Sequence, residues 1–165
     1  MTLSRLAKHM LTTHRQVKRN FPESSLAAIK SAIGNAEATH SGEIRFAIEA
    51  ALQPAQVMRD MTPRERALDV FSELRVWDTQ HNSGVLIYLL LADRAVEIIA
   101  DRGIHARTGS ETWQRIVGIM QDDFAAGRFE AGAVSGVAAV AEKLTRHFPV
   151  TGANPDELPN DVTLL

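Results

Sequence analysis

The sequence predicts an α/β protein, a three-layer α/β/α sandwich. A small mixed sheet is built around a central buried hairpin strand and covered by helices on both faces. Three observations predict it. Residues 85–91, Val-Leu-Ile-Tyr-Leu-Leu-Leu, are an unbroken apolar run. The run is too short to cross a bilayer and rich in branched and aromatic side chains, as in a strand buried on both faces. After Ala92-Asp93-Arg94-Ala95, residues 96–100 (Val-Glu-Ile-Ile-Ala) form a second run, and so short a connection closes only an antiparallel hairpin. Upstream, an alternating segment at residues 43–52 and then a segment of helical period lead into the central run. That is a βαβ unit, whose crossover is right-handed in nearly all cases.

In chain order, residues 1–22 carry Arg5, Lys8, Arg15, Lys18 and Arg19 and no acid, in a chain of net charge −2. Leu3, Leu6, Ala7, Met10, Val17 and Phe21 recur at helical spacing, so residues 1–20 are expected to form a basic amphipathic helix separable from the core. Two uses are open to it. It packs its apolar stripe on its own domain, or it serves a protein or an anionic membrane-surface partner. Asn20 to Glu23 has capping-box spacing, with Pro22 placed for a first turn, and opens a helix over 22–40 burying Leu26, Ile29, Ile33 and Ala36. In residues 43–52, Ile44, Phe46 and Ile48 alternate with Glu43, Arg45 and Glu49, the pattern of a sheet-edge strand with one wet face.

Thr62-Pro63-Arg64-Glu65 opens a helix over 63–76 with Ala67, Val70, Phe71 and Leu74 inward. Thr108 and Glu111 are spaced to cap a helix over 110–126, where Trp113, Ile116, Val117, Met120 and Phe124 share a face. A last helix spans 129–147, with Gly132 and Gly136 small enough for close packing. The domain is thus expected over residues 21–149, followed by a flexible acidic tail at 150–165.

Composition sets limits on function. The chain has 165 residues, 45% of them hydrophobic, enough for one sizeable core. It has no cysteine, which excludes disulfides, thiolate metal sites and cysteine nucleophiles. No secretory signal and no stretch of 18 apolar residues is present, so a cytoplasmic protein is expected, peripheral at the membrane if residues 1–20 bind there. Positive charge confined to one helix and only 5% aromatics argue against nucleic acid as a partner.

The chemistry is expected at the end of the hairpin remote from Asp93. A turn centred on Asp93 and Arg94 sets Leu91 opposite Val96, Leu86 opposite Asp101 and Gly84 opposite Gly103. Three segments then converge: residues 40–43, 78–82 and 101–105. Asp78, Asn82 and Asp101 offer oxygens to a hard divalent cation, calcium foremost. His40, His81 and His105 offer imidazoles for a transition metal or for proton transfer. Arg102, Arg107 and the amides of the helix opening near Gly109 suit a phosphate. Together they are the parts of a metal-assisted hydrolase acting on a phosphoester, with Asp101, Arg102, His81 and His105 catalytic. The same residues also read as turn formers and solvated surface. A second location, at the carboxyl ends of the parallel strands, takes in residues 53–62 and the Asp93-Arg94 turn.

The hairpin with its leading loop, HNSGVLIYLLLADRAVEIIADRGI, resembles the core signature of the TPM-domain family, the thylakoid acid-phosphatase-type domain. The later DDFAAGRFEAGAVSGVAAV resembles the family's segment before and within its last helix, and the likeness runs from about Glu43 to Leu144. It implies an α/β/α sandwich, divalent-cation (calcium) binding and acid phosphatase activity as in some members, or a non-catalytic accessory role as in others. The family's Asp-Asn-Gly falls at Asn82-Ser83-Gly84, losing its carboxylate. Its Gly-aromatic-Gly bend falls at Asp101-Arg102-Gly103, gaining one, and its following acidic position at His105.

Overall fold

The computed structural model describes residues 3–165; residues 1 and 2 of the predicted N-terminal helix lie outside the described residues. Ile44, Phe46 and Ile48 on strand β1 (Glu43–Glu49) join Val85, Ile87 and Leu89 on β2 (Gly84–Leu90) and Val96 and Ile98 on β3 (Ala95–Ala100) in one apolar cluster. Alternation along a strand puts such residues on one face of the sheet. Three helices close that face: α3 (Glu23–Glu37), α7 (Ser110–Ala125) and α8 (Phe129–His147). On the other face Ala47, Leu86, Tyr88, Leu90 and Ile99 form a second cluster with α5 (Pro63–Glu73) and the short α4 (Pro54–Met58). The central strand is therefore covered twice, as its unbroken apolar run requires.

Among the described residues the sheet has four strands in the order β3-β2-β1-β4, where β4 is Thr163–Leu164. β1 runs parallel to β2 and β2 antiparallel to β3. The hairpin register corrects the sequence reading: Leu86 faces Ile99 and Leu90 faces Ala95. The turn thus takes in residues 91–94, with Arg94 at φ 51°, and closes earlier on the second strand than the chosen turn centre implied. The slip is an even number of residues, so every side chain keeps its face. Gly84 still meets the start of the next segment, because Asp101 N donates to Gly84 O at 2.9 Å.

The four long helices begin and end close to their expected positions. Thr62 caps α5 as the motif predicts: its hydroxyl accepts from Glu65 N, and Thr62 N donates to the Glu65 carboxylate at 2.7 Å. Two other capping expectations fail. Pro22 is the N-cap of α3 with no side-chain bond. Thr108 belongs to an unpredicted helix, α6 (Arg102–Thr108), and donates back to Ile104 O, leaving Gly109 at φ 75° to start α7.

Three larger corrections concern the chain's two ends. In place of the single helix expected over residues 1–20, the described part, residues 3–20, forms two helices, α1 (Leu3–Leu11) and α2 (His14–Asn20), broken at Thr12 and Thr13. Val17 and Phe21 enter the main core, while Arg5 and His9 grip the hairpin turn. The segment at 150–165, expected to be loose, packs along β1: Leu158 is buried in the second cluster, Arg45 donates to Pro159 O and Thr163 Oγ1, and β4 pairs with β1. Consequently β1 has no wet face, and all seven of its residues are buried.

Candidate functional site

At the hairpin end remote from Asp93, close backbone approach sets the geometry. A Cβ on Gly84 would lie 2.0 Å from Val76 O, and one on Gly103 would lie 2.5 Å from both His81 O and Asn82 O. Only glycine lets the 76–83 loop and the start of α6 meet in this way. Ile104 N donates to Asn82 O at 3.3 Å, and Ser83 N donates to Thr79 Oγ1 at 3.0 Å. The loops expected to converge do so.

The side chains on those loops are largely engaged in holding them. Asp78 pairs with Arg75 at 2.8 Å, both more than half exposed. Asp101 caps α6, its Oδ1 accepting from Arg102 N at 2.7 Å. Asn82 sits at φ 50°, a left-handed position that asparagine tolerates well. His81 is exposed with its ring 6.4 Å from that of Phe148, and Arg102 and His105 are exposed on α6. Arg107 donates to His147 O at 2.6 Å and lies over Phe148, tying α6 to the end of α8. His40 is fully buried, bonded through Nδ1 to Gly42 O, and burial lowers its pKa. For the divalent cation expected at Asp78, Asn82 and Asp101 the fit is partial: Asp101 Oδ2 is buried with no hydrogen-bond partner, whereas Asp78 is turned to Arg75.

A second acidic group lies where β1 starts. Glu43, on the sheet face that the 150–165 segment covers, is 3% exposed. Its Oε1 accepts from Glu157 N at 3.1 Å, and its Oε2 is buried with no partner. Glu37, at the end of α3, and Asp156 bring carboxylate oxygens that lie with one from Glu43 within 4.8 Å of one another. Glu37 Oε2 accepts from Asn160 Nδ2 at 2.8 Å, while Glu37 Oε1 and Asn160 Oδ1 are also buried and unpartnered. Burial pushes the Glu43 carboxyl up to about 7; the Glu157 amide opposes this and the neighbouring acids add to it. Burial raises Glu37 as well, against the pull of Asn160. Glu43 stands in a segment that the sequence placed at this end. Asp156 could not be placed, because the tail carries no periodic signal.

A third polar centre is structural. Glu49 accepts from Tyr88 Oη at 2.6 Å and from Arg66 Nε at 2.9 Å, and Arg66 also reaches Glu73. The buried carboxylate is fully matched, as a buried charge must be.

The arrangement matches known proteins. The family model described as the TPM domain matches residues 19–143, most of the chain. The chain belongs to the TPM-domain family. Among solved structures this TPM domain is similar to the BA42 protein of the psychrophilic bacterium Bizionia argentinensis, determined by NMR. The two are 32% identical with a TM-score of 0.75, over 86% of this chain and 92% of that one. No curated protein matches the sequence. The matched residues hold the hairpin, α6 and most of α8, while Asp156 and the rest of the 150–165 segment lie outside them.

Proposed function

We propose that this TPM domain is a non-catalytic accessory module that works at an anionic membrane surface through its N-terminal arm. One observation carries the reading: α1 is mounted with Arg5, Leu6 and His9 inward and the rest of its apolar stripe outward. Arg5 donates to Asp93 at 2.8 Å and to Met61 O, and His9 is bonded to Asp93 through Nε2 at 3.0 Å. Leu52 N donates to His9 Nδ1 at 2.9 Å, so the ring carries its proton on Nε2. Burial alone would raise the Asp93 pKa, but the bonds from Arg5 and His9 outweigh it and hold the carboxyl below its usual range. With that side fixed, Leu3, Met10 and Leu11 are 79%, 69% and 75% exposed, with Ala7 between them. Met58 on α4, against which α1 packs, is exposed too.

An apolar stripe turned to solvent on a helix with exposed Lys8, followed by a helix that exposes Arg15, Lys18 and Arg19, has the chemistry of an arm lying in a lipid headgroup layer. No described helix is long and apolar enough to cross a membrane, so the reading is of attachment at the surface. Flotation with vesicles containing phosphatidylglycerol tests it. Wild type is expected to bind these and not phosphatidylcholine vesicles, and Met10→Glu/Leu11→Glu to lose binding. A double variant that floats like wild type rejects the reading. So does a wild-type dimer that the double variant dissociates, which would make a second copy the occupant.

A second reading, a phosphoester hydrolase, is supported by the unpartnered buried Asp101 Oδ2 and Ser83 Oγ at the loop cluster. Asp101 and Asn82 would hold a divalent cation, which supplies Lewis-acid chemistry when bound. Arg102 would bind the phosphate, and His105 or His81 would protonate the leaving oxygen. Phosphoester cleavage by wild type that Asp101→Ala abolishes would favour this reading over the first.

A further inference from the structure

We propose that residues 150–165 are a strap that closes along the outer edge of β1 when Glu43 carries a proton and loosens when that proton leaves to solvent. Three elements meet at the latch. The end of α3 brings Glu37, β1 begins at Glu43, and the strap brings Asp156 and Glu157. Glu43 is 3% exposed, and the strap grips it directly, Glu157 N donating to its Oε1 at 3.1 Å. One oxygen from each of Glu37, Glu43 and Asp156 lies within 4.8 Å of the other two. Carboxylates held that close and out of water repel one another, and the most shielded is the costliest to charge. A proton on Glu43 removes that charge. It also gives Oε2, which has no donor, a hydrogen to offer in a group where Glu37 Oε1 and Asn160 Oδ1 are buried acceptors without a donor.

The surrounding charges push the same way. Burial lifts the Glu43 carboxyl up to about 7; Glu157 N opposes the rise, and the charges of Glu37, Asp156 and Glu157 add to it. Arg45, two residues along β1, directs its guanidinium to Pro159 O and Thr163 Oγ1. Lys30 pairs with Asp161 at 2.7 Å. His40 is fully buried on Gly42 O, and burial lowers its pKa. Once Glu43 is charged, the part free to give way is the strap. Glu37 and Glu43 are fixed in α3 and β1, whereas residues 150–157 are exposed and belong to no helix or strand. Their movement draws Asp156 and Glu157 away and lets water reach Glu43. β4, which pairs with β1 at Ala47 and Ile48, then loses its tether at Glu43. By linkage, closure is strongest below the ordinary carboxyl range and is lost as pH rises through about 7.

Amide hydrogen exchange of the full chain at pH 5 and pH 8, with each rate divided by the amide's intrinsic rate, tests the latch. Residues 157–165 are expected to lose about tenfold or more in protection between the two, the factor that one unit of carboxyl shift supplies. At both pH values they should exchange ahead of residues 85–90, through an opening that leaves β2 intact. Glu43→Gln, which has no proton to lose, should hold the protection of 157–165 constant. Asp156 is exposed, so Asp156→Asn keeps the fold even if the Glu43 variant does not, and it should shrink the loss severalfold. Asp161→Asn, an acid of the same strap paired with Lys30, should show the full wild-type loss. The proposal is overturned if wild type shows no loss over 157–165, or if Glu43→Gln shows the full one. It is overturned too if 157–165 and 85–90 share one protection at pH 8, which would mean that the strap opens only with the whole fold. Equal losses in Asp156→Asn and Asp161→Asn would also overturn it, by reducing the effect to diffuse negative charge. Vesicle flotation reads none of these groups, so failure here leaves the membrane-surface reading standing.

Discussion

Two acidic neighbourhoods lie at the same end of the sheet and differ in what their oxygens are doing. Around Asp78 and Asp101 the carboxylates have local partners: an arginine three residues away and the first amide of a helix. Around Glu43, one oxygen of Glu43 and one of Glu37 accept bonds from Glu157 N and Asn160 Nδ2, the other oxygen of each is buried without a partner, and burial dominates their chemistry. Residue type alone ranks the first neighbourhood higher, because it is richer in histidine and arginine. Satisfaction ranks them the other way by a narrow margin: Asp101 Oδ2 and Ser83 Oγ are left unpartnered in the first, against Glu37 Oε1, Glu43 Oε2 and Asn160 Oδ1 in the second.

That contrast can be sharpened by pH. The Glu43 carboxyl is raised in the folded protein, so between about 4.5 and 7 the native state keeps a proton that the unfolded chain has released. Stability should therefore fall across that window as pH rises, with the loss complete above it. Glu43→Gln should flatten the fall and melt several degrees above wild type at pH 8. Thermal melts from pH 4.5 to 8 check this, and an unchanged slope in the variant would erase the difference between the two neighbourhoods. Asp101→Ala should have a smaller effect, about 1 kcal/mol of lost stability with no new pH slope, since it removes a helix cap. A much larger loss in urea unfolding would show that Asp101 does more than cap. Smallest is Asp78→Ala, expected to move stability by under about 0.5 kcal/mol because an exposed pair contributes little. A loss above 1 kcal/mol would place Asp78 among the buried, matched groups instead.

Most of the layer arrangement was legible in the sequence because it rests on periodicity. Residues 85–91 are apolar at every position and become the doubly covered strand; Thr62-Pro63-Arg64-Glu65 opens a helix with each named bond in place. Less legible were the features that depend on a distant partner. Glu43, Arg45 and Glu49 alternate like a solvated face and are buried because residues from 157 onward and Arg66 reach them. Residues 150–165 carry the composition of a loose tail and are held by hydrogen bonds that composition does not encode. The N-terminal arm was read as one basic amphipathic helix and is two, and the orientation of the first depends on Asp93 at the hairpin turn, far along the chain. Of the candidate site, the meeting of the loops was legible from strand direction. The local bonds that occupy Asp78 and Asp101 were not.

β4 carries one more consequence. An open sheet border is a row of unused amides and carbonyls on which another molecule can add a strand. Two residues of β4, continued by Leu165 N donating to Ile48 O at 2.9 Å, occupy that row on β1. The borders are then the two-residue β4 itself and β3, where Glu97 adds charge and Arg64 reaches across to Ile98 O. A strand carrying Ile44, Phe46 and Ile48 is thereby withdrawn from strand addition, and the longer of the two borders that remain is one that charge defends against self-association.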